Sequence, residues 1–107
     1  VKASLDTLMN FNGRKVAILG DMKELGENEL ALHRETGKYA KQKGVDLVIA
    51  IGPLAKELAK GANGIWYDTI ENAEKMIKIL VRSGDTVLVK ASHSMHFENI
   101  VKMLKKM

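Results

Sequence analysis

The sequence contains no cysteine, so neither a disulfide framework nor a thiolate metal site can be built from it. Its three histidines, His33, His93 and His96, stand in no ligand-spaced cluster with carboxylates, and a structural metal is not expected. Aromatic side chains are scarce: two Phe, two Tyr and one Trp leave little to stack on nucleic-acid bases. The net charge of +4 does not alter this, because most lysines recur at helical spacing among Asp and Glu, as in "KYAKQK" and "IVKMLKKM", the pattern of a solvated helix face. No apolar run approaches the roughly 20 residues of a membrane span, and "VKASLDTLMN" lacks the basic-then-apolar layout of a signal peptide. No nucleic-acid partner and no membrane span are therefore expected. A phosphate cradle is also missing: there is no G-x-x-x-x-G-K-[ST], and "ILGDMKELG" does not fit G-x-G-x-x-G. If ATP is used, its main phosphate-binding loop is not in this chain.

What the chain does have is enough apolar content, 46% of 107 residues, to bury one core, and a single domain over 1–107 is expected. Three apolar runs, "KVAILG" (15–20), "DLVIAIG" (46–52) and "TVLVKA" (86–91), are nearly continuous rather than alternating, as in strands covered on both faces. "GIWYD" (64–68) is a weaker fourth. Helical periodicity lies around them. Leu5, Leu8 and Met9 line a first helix ended by Asn12-Gly13. Ala73, Met76, Ile77, Leu80 and Val81 form one later core face, and Phe97, Ile100, Val101 and Leu104 another. Asp68, with Glu71 three residues on, resembles a capping box. "PLAKELAKG" places Pro53, the only proline, in a first helical turn and Gly61 at the helix end. The resulting order, α-β-α-β-α-β-α-β-α, predicts a doubly wound α/β fold with a mostly parallel sheet. Because such folds often begin with a strand, a first strand is expected to be missing ahead of the first helix.

Open parallel sheets bind ligands beyond the carboxyl ends of their strands, which directs attention to the loops after Gly20, Gly52 and Ala91. In the first, Asp21 and Glu24 could form an acidic site for an amine or cation, or could cap the helix that follows and meet its dipole. His33 falls on the Leu30, His33, Gly37, Ala40 stripe and is expected to be a hydrogen-bonded core residue. Gly37 costs that helix about 1 kcal/mol relative to Ala, which a close approach of helix to strand would justify. In the third loop Lys90 stands beside Ser92, His93, Ser94 and His96, an arrangement able to meet a phosphate or carboxylate. Alternatively Ser92 or Ser94 caps the last helix and Lys90 lies at the sheet rim. No third group marks either serine as an activated nucleophile.

"VAILGDMKELGENELALHRETG" together with "VLVKASHSMHFENIV" resembles the C-terminal domain of the Mur ligases, and within them the ligases that add D-alanyl-D-alanine to UDP-N-acetylmuramoyl-tripeptide. The resemblance covers nearly the whole chain. It implies a Rossmann-like three-layer sandwich, the third domain of a cytoplasmic bacterial enzyme of peptidoglycan synthesis that uses ATP and Mg2+, both bound mainly by a central domain outside this chain. In that chemistry the tripeptide carboxylate becomes an acyl phosphate, which the dipeptide amine attacks. Matching positions carry over Asp21, Met22, Glu24, Leu25 and Gly26 as the active-site-facing loop, with His33 and Gly37 as packing support. Lys90, Ser92 and His93 match the family's Lys-Gly-Ser-Arg, with Ala91 in place of Gly and His93 in place of Arg, which removes a permanently charged fork. The family's Asp-x-Tyr-Asn-Ala-Asn-Pro segment, carrying the opening strand, would end just before Val1. No catalytic residue is expected within these residues. From a different class, the alternative is a free-standing α/β ligand-binding or interaction module.

Overall fold

The computed structural model describes residues 2–22, 28–91 and 97–106, with Lys2 as backbone alone. The elements run α1 (Lys2–Leu8), β1 (Lys15–Gly20), α2 (Glu29–Lys43), β2 (Leu47–Ile51), α3 (Ala55–Ala62), β3 (Ile65–Tyr67), α4 (Ile70–Leu80), β4 (Thr86–Lys90) and α5 (Glu98–Lys105). The four strands pair in the order β3-β2-β1-β4, every pair parallel. The continuous apolar runs have the cause expected of them, since β1 and β2 are central and buried on both faces. The edge strands β3 and β4 are only half-buried, and among the described residues no strand pairs with the outer edge of β4.

Alternation along the strands divides the core in two. Ala17, Leu19, Val48 and Ala50 point to one face and pack with Leu5 and Leu8 of α1, Ala40 of α2 and Leu58 of α3. Val16, Ile18, Ile49 and Ile51 point to the other, against Ala73 and Ile77 of α4 and Ile100 of α5. The result is a three-layer sandwich with α1, α2 and α3 on one side and α4 and α5 on the other. At the amino end of the sheet Arg14 makes a forked contact with Asp85, its Nε donating at 3.0 Å and its Nη2 at 2.7 Å. The Arg82 backbone N–H also donates to Asp85. The guanidinium holds the Asp85 carboxyl below its ordinary pKa.

Helices α2 and α3 cross closely at two glycines. A Cβ on Gly37 would strike the Leu58 carbonyl oxygen of α3, and one on Gly61 would strike the Arg34 carbonyl oxygen of α2. Gly37 therefore permits helix against helix, not helix against strand. Gly61 lies inside α3, which ends at Asn63 in the left-handed conformation instead. Above the crossing, Arg34 donates to Glu57, and Lys60 reaches the same carboxylate at 3.1 Å.

Other boundaries also differ from the sequence expectation. Thr69 is the N-cap of α4, its hydroxyl accepting from the Asn72 N–H at 3.2 Å, while Asp68 accepts from the Asn72 side chain. The threonine wins because its short hydroxyl sits at the cap position itself. Pro53 lies ahead of α3, whose N-cap is Leu54. α1 ends at Leu8, before Asn12-Gly13, leaving Met9 half-buried. Leu30 and Met76 are exposed, since the inward stripes of α2 and α4 are narrower than their apolar spacing suggests.

Candidate functional site at the carboxyl rim of β1 and β4

The chain moves outward from β1 to β2 to β3, then returns across the opposite face through α4 to place β4 on the other side of β1. Helices leaving β1 and β4 consequently diverge to opposite faces. The crevice between them is the topological switch point, where open α/β sheets accept ligands. The register sets Leu19 opposite Lys90, so the segments after β1 and β4 leave the sheet side by side. Asp21, Met22 and Lys90 are brought to this one rim. Glu24, Leu25, Gly26, Ser92 and His93, with Ser94 and His96, lie outside the described residues.

Asp21 faces inward. It is 2% exposed, and its Oδ1 accepts from the Ala55 backbone N–H at 2.8 Å. The carboxylate thus satisfies an orphan donor in the first turn of α3 and meets the positive end of that helix. This corrects the expected cap on α2, whose N-cap is Asn28 with no side-chain hydrogen bond. Gly52 makes room for it: a Cβ there would lie 2.5 Å from Asp21 Oδ1, and φ of +115° suits glycine alone. The Gly52 peptide is gripped in turn, its N–H donating to the Tyr67 carbonyl at 2.9 Å and its carbonyl accepting from Trp66 Nε1–H at 2.7 Å. Lys56 Nζ lies 5.2 Å from the centre of the Trp66 ring.

Met22 is held from the other side. Its backbone N–H donates to His33 Nε2 at 3.0 Å, and His33 Nδ1 lies 2.6 Å from the Glu29 carbonyl oxygen. An N–H can be accepted only by a bare ring nitrogen, so the neutral ring carries its hydrogen on Nδ1 and donates it to Glu29. His33 is wholly buried, the hydrogen-bonded core residue that its stripe predicts.

The β4 root is packed against the β1 root. A Cβ on Gly20 would fall 2.5 Å from Phe97 Cζ and 2.8 Å from Ala91 Cβ, so the residues flanking 92–96 both rest on Gly20. Phe97 is the N-cap of α5, a position expected of Ser92 or Ser94. Lys90 is exposed at the strand end, where an ammonium can meet an anion from solvent. Sequence reasoning placed Phe97 on the core face of the last helix, as found, but missed its contact with Gly20 and the roles of Gly52 and Ala55. Their signal is pairwise, a glycine or alanine ending one strand where a larger side chain arrives from a distant element. A cavity of about 550 Å3 lies elsewhere, toward the amino end of β4, lined by Val81, Asp85, Val87, Val89, Val101 and Leu104 among others. Among the described residues no three His, Asp or Glu side chains converge to hold a metal ion, and no helix is long and apolar enough to cross a membrane.

Residues 1–93 match the protein-family model described as Mur ligase, glutamate ligase domain. The chain is similar to the UDP-N-acetylmuramoyl-tripeptide–D-alanyl-D-alanine ligases of Haemophilus influenzae, 32% identical, and Synechocystis, 35% identical, over 96% and 95% of this chain. It spans 24% of the length of each of these relatives. Among solved structures, MurF from Acinetobacter baumannii has the same fold, with a TM-score of 0.89 at 24% identity over 99% of this chain and 25% of that one. MurF ligase from Thermotoga maritima, in complex with ADP, has a TM-score of 0.78 at 31% identity over 96% of this chain and 24% of that one.

Proposed function

Because the chain belongs to the Mur ligase family, we propose that residues 1–107 act as the C-terminal domain of an ATP-dependent ligase that adds D-alanyl-D-alanine to UDP-N-acetylmuramoyl-tripeptide. ATP activates the tripeptide carboxylate as an acyl phosphate. The dipeptide amine attacks the acyl carbon, phosphate leaves, and an amide bond forms. The family resemblance assigns ATP and Mg2+ mainly to a central domain of the same enzyme.

The observation that carries this reading is the pairing of Leu19 with Lys90, which opens the segments after β1 and β4 onto one crevice at the switch point. Such a rim suits half of a reaction chamber, the other half being the nucleotide-bearing domain. Closing the two would exclude water from a hydrolysable acyl phosphate and bring the amine into line. The substrate-facing set comprises Met22, Glu24, Leu25, Gly26, Lys90, Ser92 and His93. Asp21, part of the same matching loop, contributes from within by anchoring it. Lys90 supplies positive charge where a carboxylate or phosphate of the substrates approaches.

The test is ligation by the complete enzyme carrying Lys90→Ala. Losing one charge-assisted hydrogen bond should lower kcat/KM by about ten- to a hundredfold. Its melting temperature should stay within about one degree, because an exposed side chain at a strand end contributes little to folding. Unchanged ligation would remove Lys90 from the site, and a complete wild-type enzyme unable to join the dipeptide would end the functional reading.

A further inference from the structure

Met22 and Glu29 stand on either side of residues 23–27, and one imidazole touches both. His33 accepts from the Met22 N–H through Nε2 and donates to the Glu29 carbonyl through Nδ1, at 3.0 and 2.6 Å. We propose that His33 is a positioning residue for ligation: its buried, neutral ring clips the Met22 backbone, just past β1, to the first turn of α2 and so holds Met22 at the rim. This rests on the function proposed above but names a device that function does not require.

Three features make the clip specific. The ring is 0% exposed, so water does not compete for either nitrogen. Donor and acceptor differ, which selects one tautomer and one ring orientation. Finally, Glu29 and His33 belong to the first turns of α2, while Met22 follows β1, so the ring couples a helix start to a strand end. Beside it, Asp21 fastens the same strand end to α3 through Ala55. Of the two anchors, only His33 joins the strand end to α2. A backbone already held in place loses fewer conformations when substrate binds, which favours affinity for what Met22 contacts.

The experiment compares His33→Gln and His33→Asn in the complete ligase. A glutamine amide oxygen reaches the place of Nε2 and can still accept from Met22, whereas an asparagine amide reaches only the place of Nδ1. Hydrogen exchange at the Met22 amide should quicken about tenfold in H33N and stay near wild type in H33Q. KM for D-alanyl-D-alanine should rise about five- to tenfold in H33N with KM for ATP unchanged, and H33Q should recover most of the loss. Equal exchange in both variants overturns the clip. Faster exchange with an unchanged dipeptide KM, or losses of all kinetic parameters that follow the melting temperature, overturns the positioning role. Should the wild-type enzyme not ligate the dipeptide, the function reading fails, and Met22 exchange still decides whether the clip exists.

Discussion

Asp21 and Lys90 are two charged residues at one rim with opposite fates. The carboxylate is withdrawn behind Gly52 and spends a lone pair on the Ala55 N–H, while the ammonium remains in solvent. Substituting them should therefore separate stability from activity. Asp21→Ala leaves a helix donor uncapped and should lower unfolding free energy by about 1–2 kcal/mol, measured by urea titration. Asp21→Asn keeps the acceptor oxygen and should recover more than half of that. Equal losses in the two would mean that charge, not the hydrogen bond, dominates. The inward turn of Asp21 was not legible in the sequence, because its partner lies 34 positions away and nothing in local spacing announces it. His33 was legible as a core residue from its place on the α2 stripe, but not its two partners.

Among elements, the α2–α3 crossing sets glycine's two physical properties against each other. In an isolated helix Gly37→Ala or Gly61→Ala would stabilise by about 1 kcal/mol. Here each new methyl would meet a carbonyl oxygen of the neighbouring helix, so each variant should instead lose about 1–3 kcal/mol, with the shift in urea midpoint as the readout. Stabilisation by either would show that the helices can separate without loss. In the sequence Gly61 reads as a helix stop because glycine commonly sits there; distinguishing a stop from a crossing needs the facing helix. The strands were easier. β1 and β2 read correctly because burial on both faces leaves a continuous apolar run, and β4 shares that run although it is a half-buried edge strand, whereas the α4 start shifted by one residue, from Asp68 to Thr69, a choice between adjacent capping side chains.

For the whole molecule, the Arg14–Asp85 fork ties the start of β1 to the turn before β4 and so closes the amino end of the sheet. The folded Asp85 pKa is lowered from its ordinary 3.8, chiefly by the hydrogen bond from Arg14. Its contribution is thus fully present above that ordinary value and is lost as pH falls through the lower folded one. Asp85→Asn should cost about 2 kcal/mol near neutral pH, and its difference from wild type should shrink as acid protonates the carboxylate. Urea denaturation of both proteins across the acid range would show this, and a gap independent of pH would contradict it. The layered architecture was visible in the order of elements, and the switch point followed from it. The outer edge of β4 is half-buried and unpaired among the described residues.

Gly20 has a practical consequence for anyone reshaping this rim. Ala91 and Phe97 both rest on its bare Cα, so the segment leaving β1 and the segment leaving β4 share a single footing. Transplanting only one of them from a homologue would leave it standing on a base cut for another. Chimeras that exchange the pair along with residue 20 should be recovered more often than single swaps.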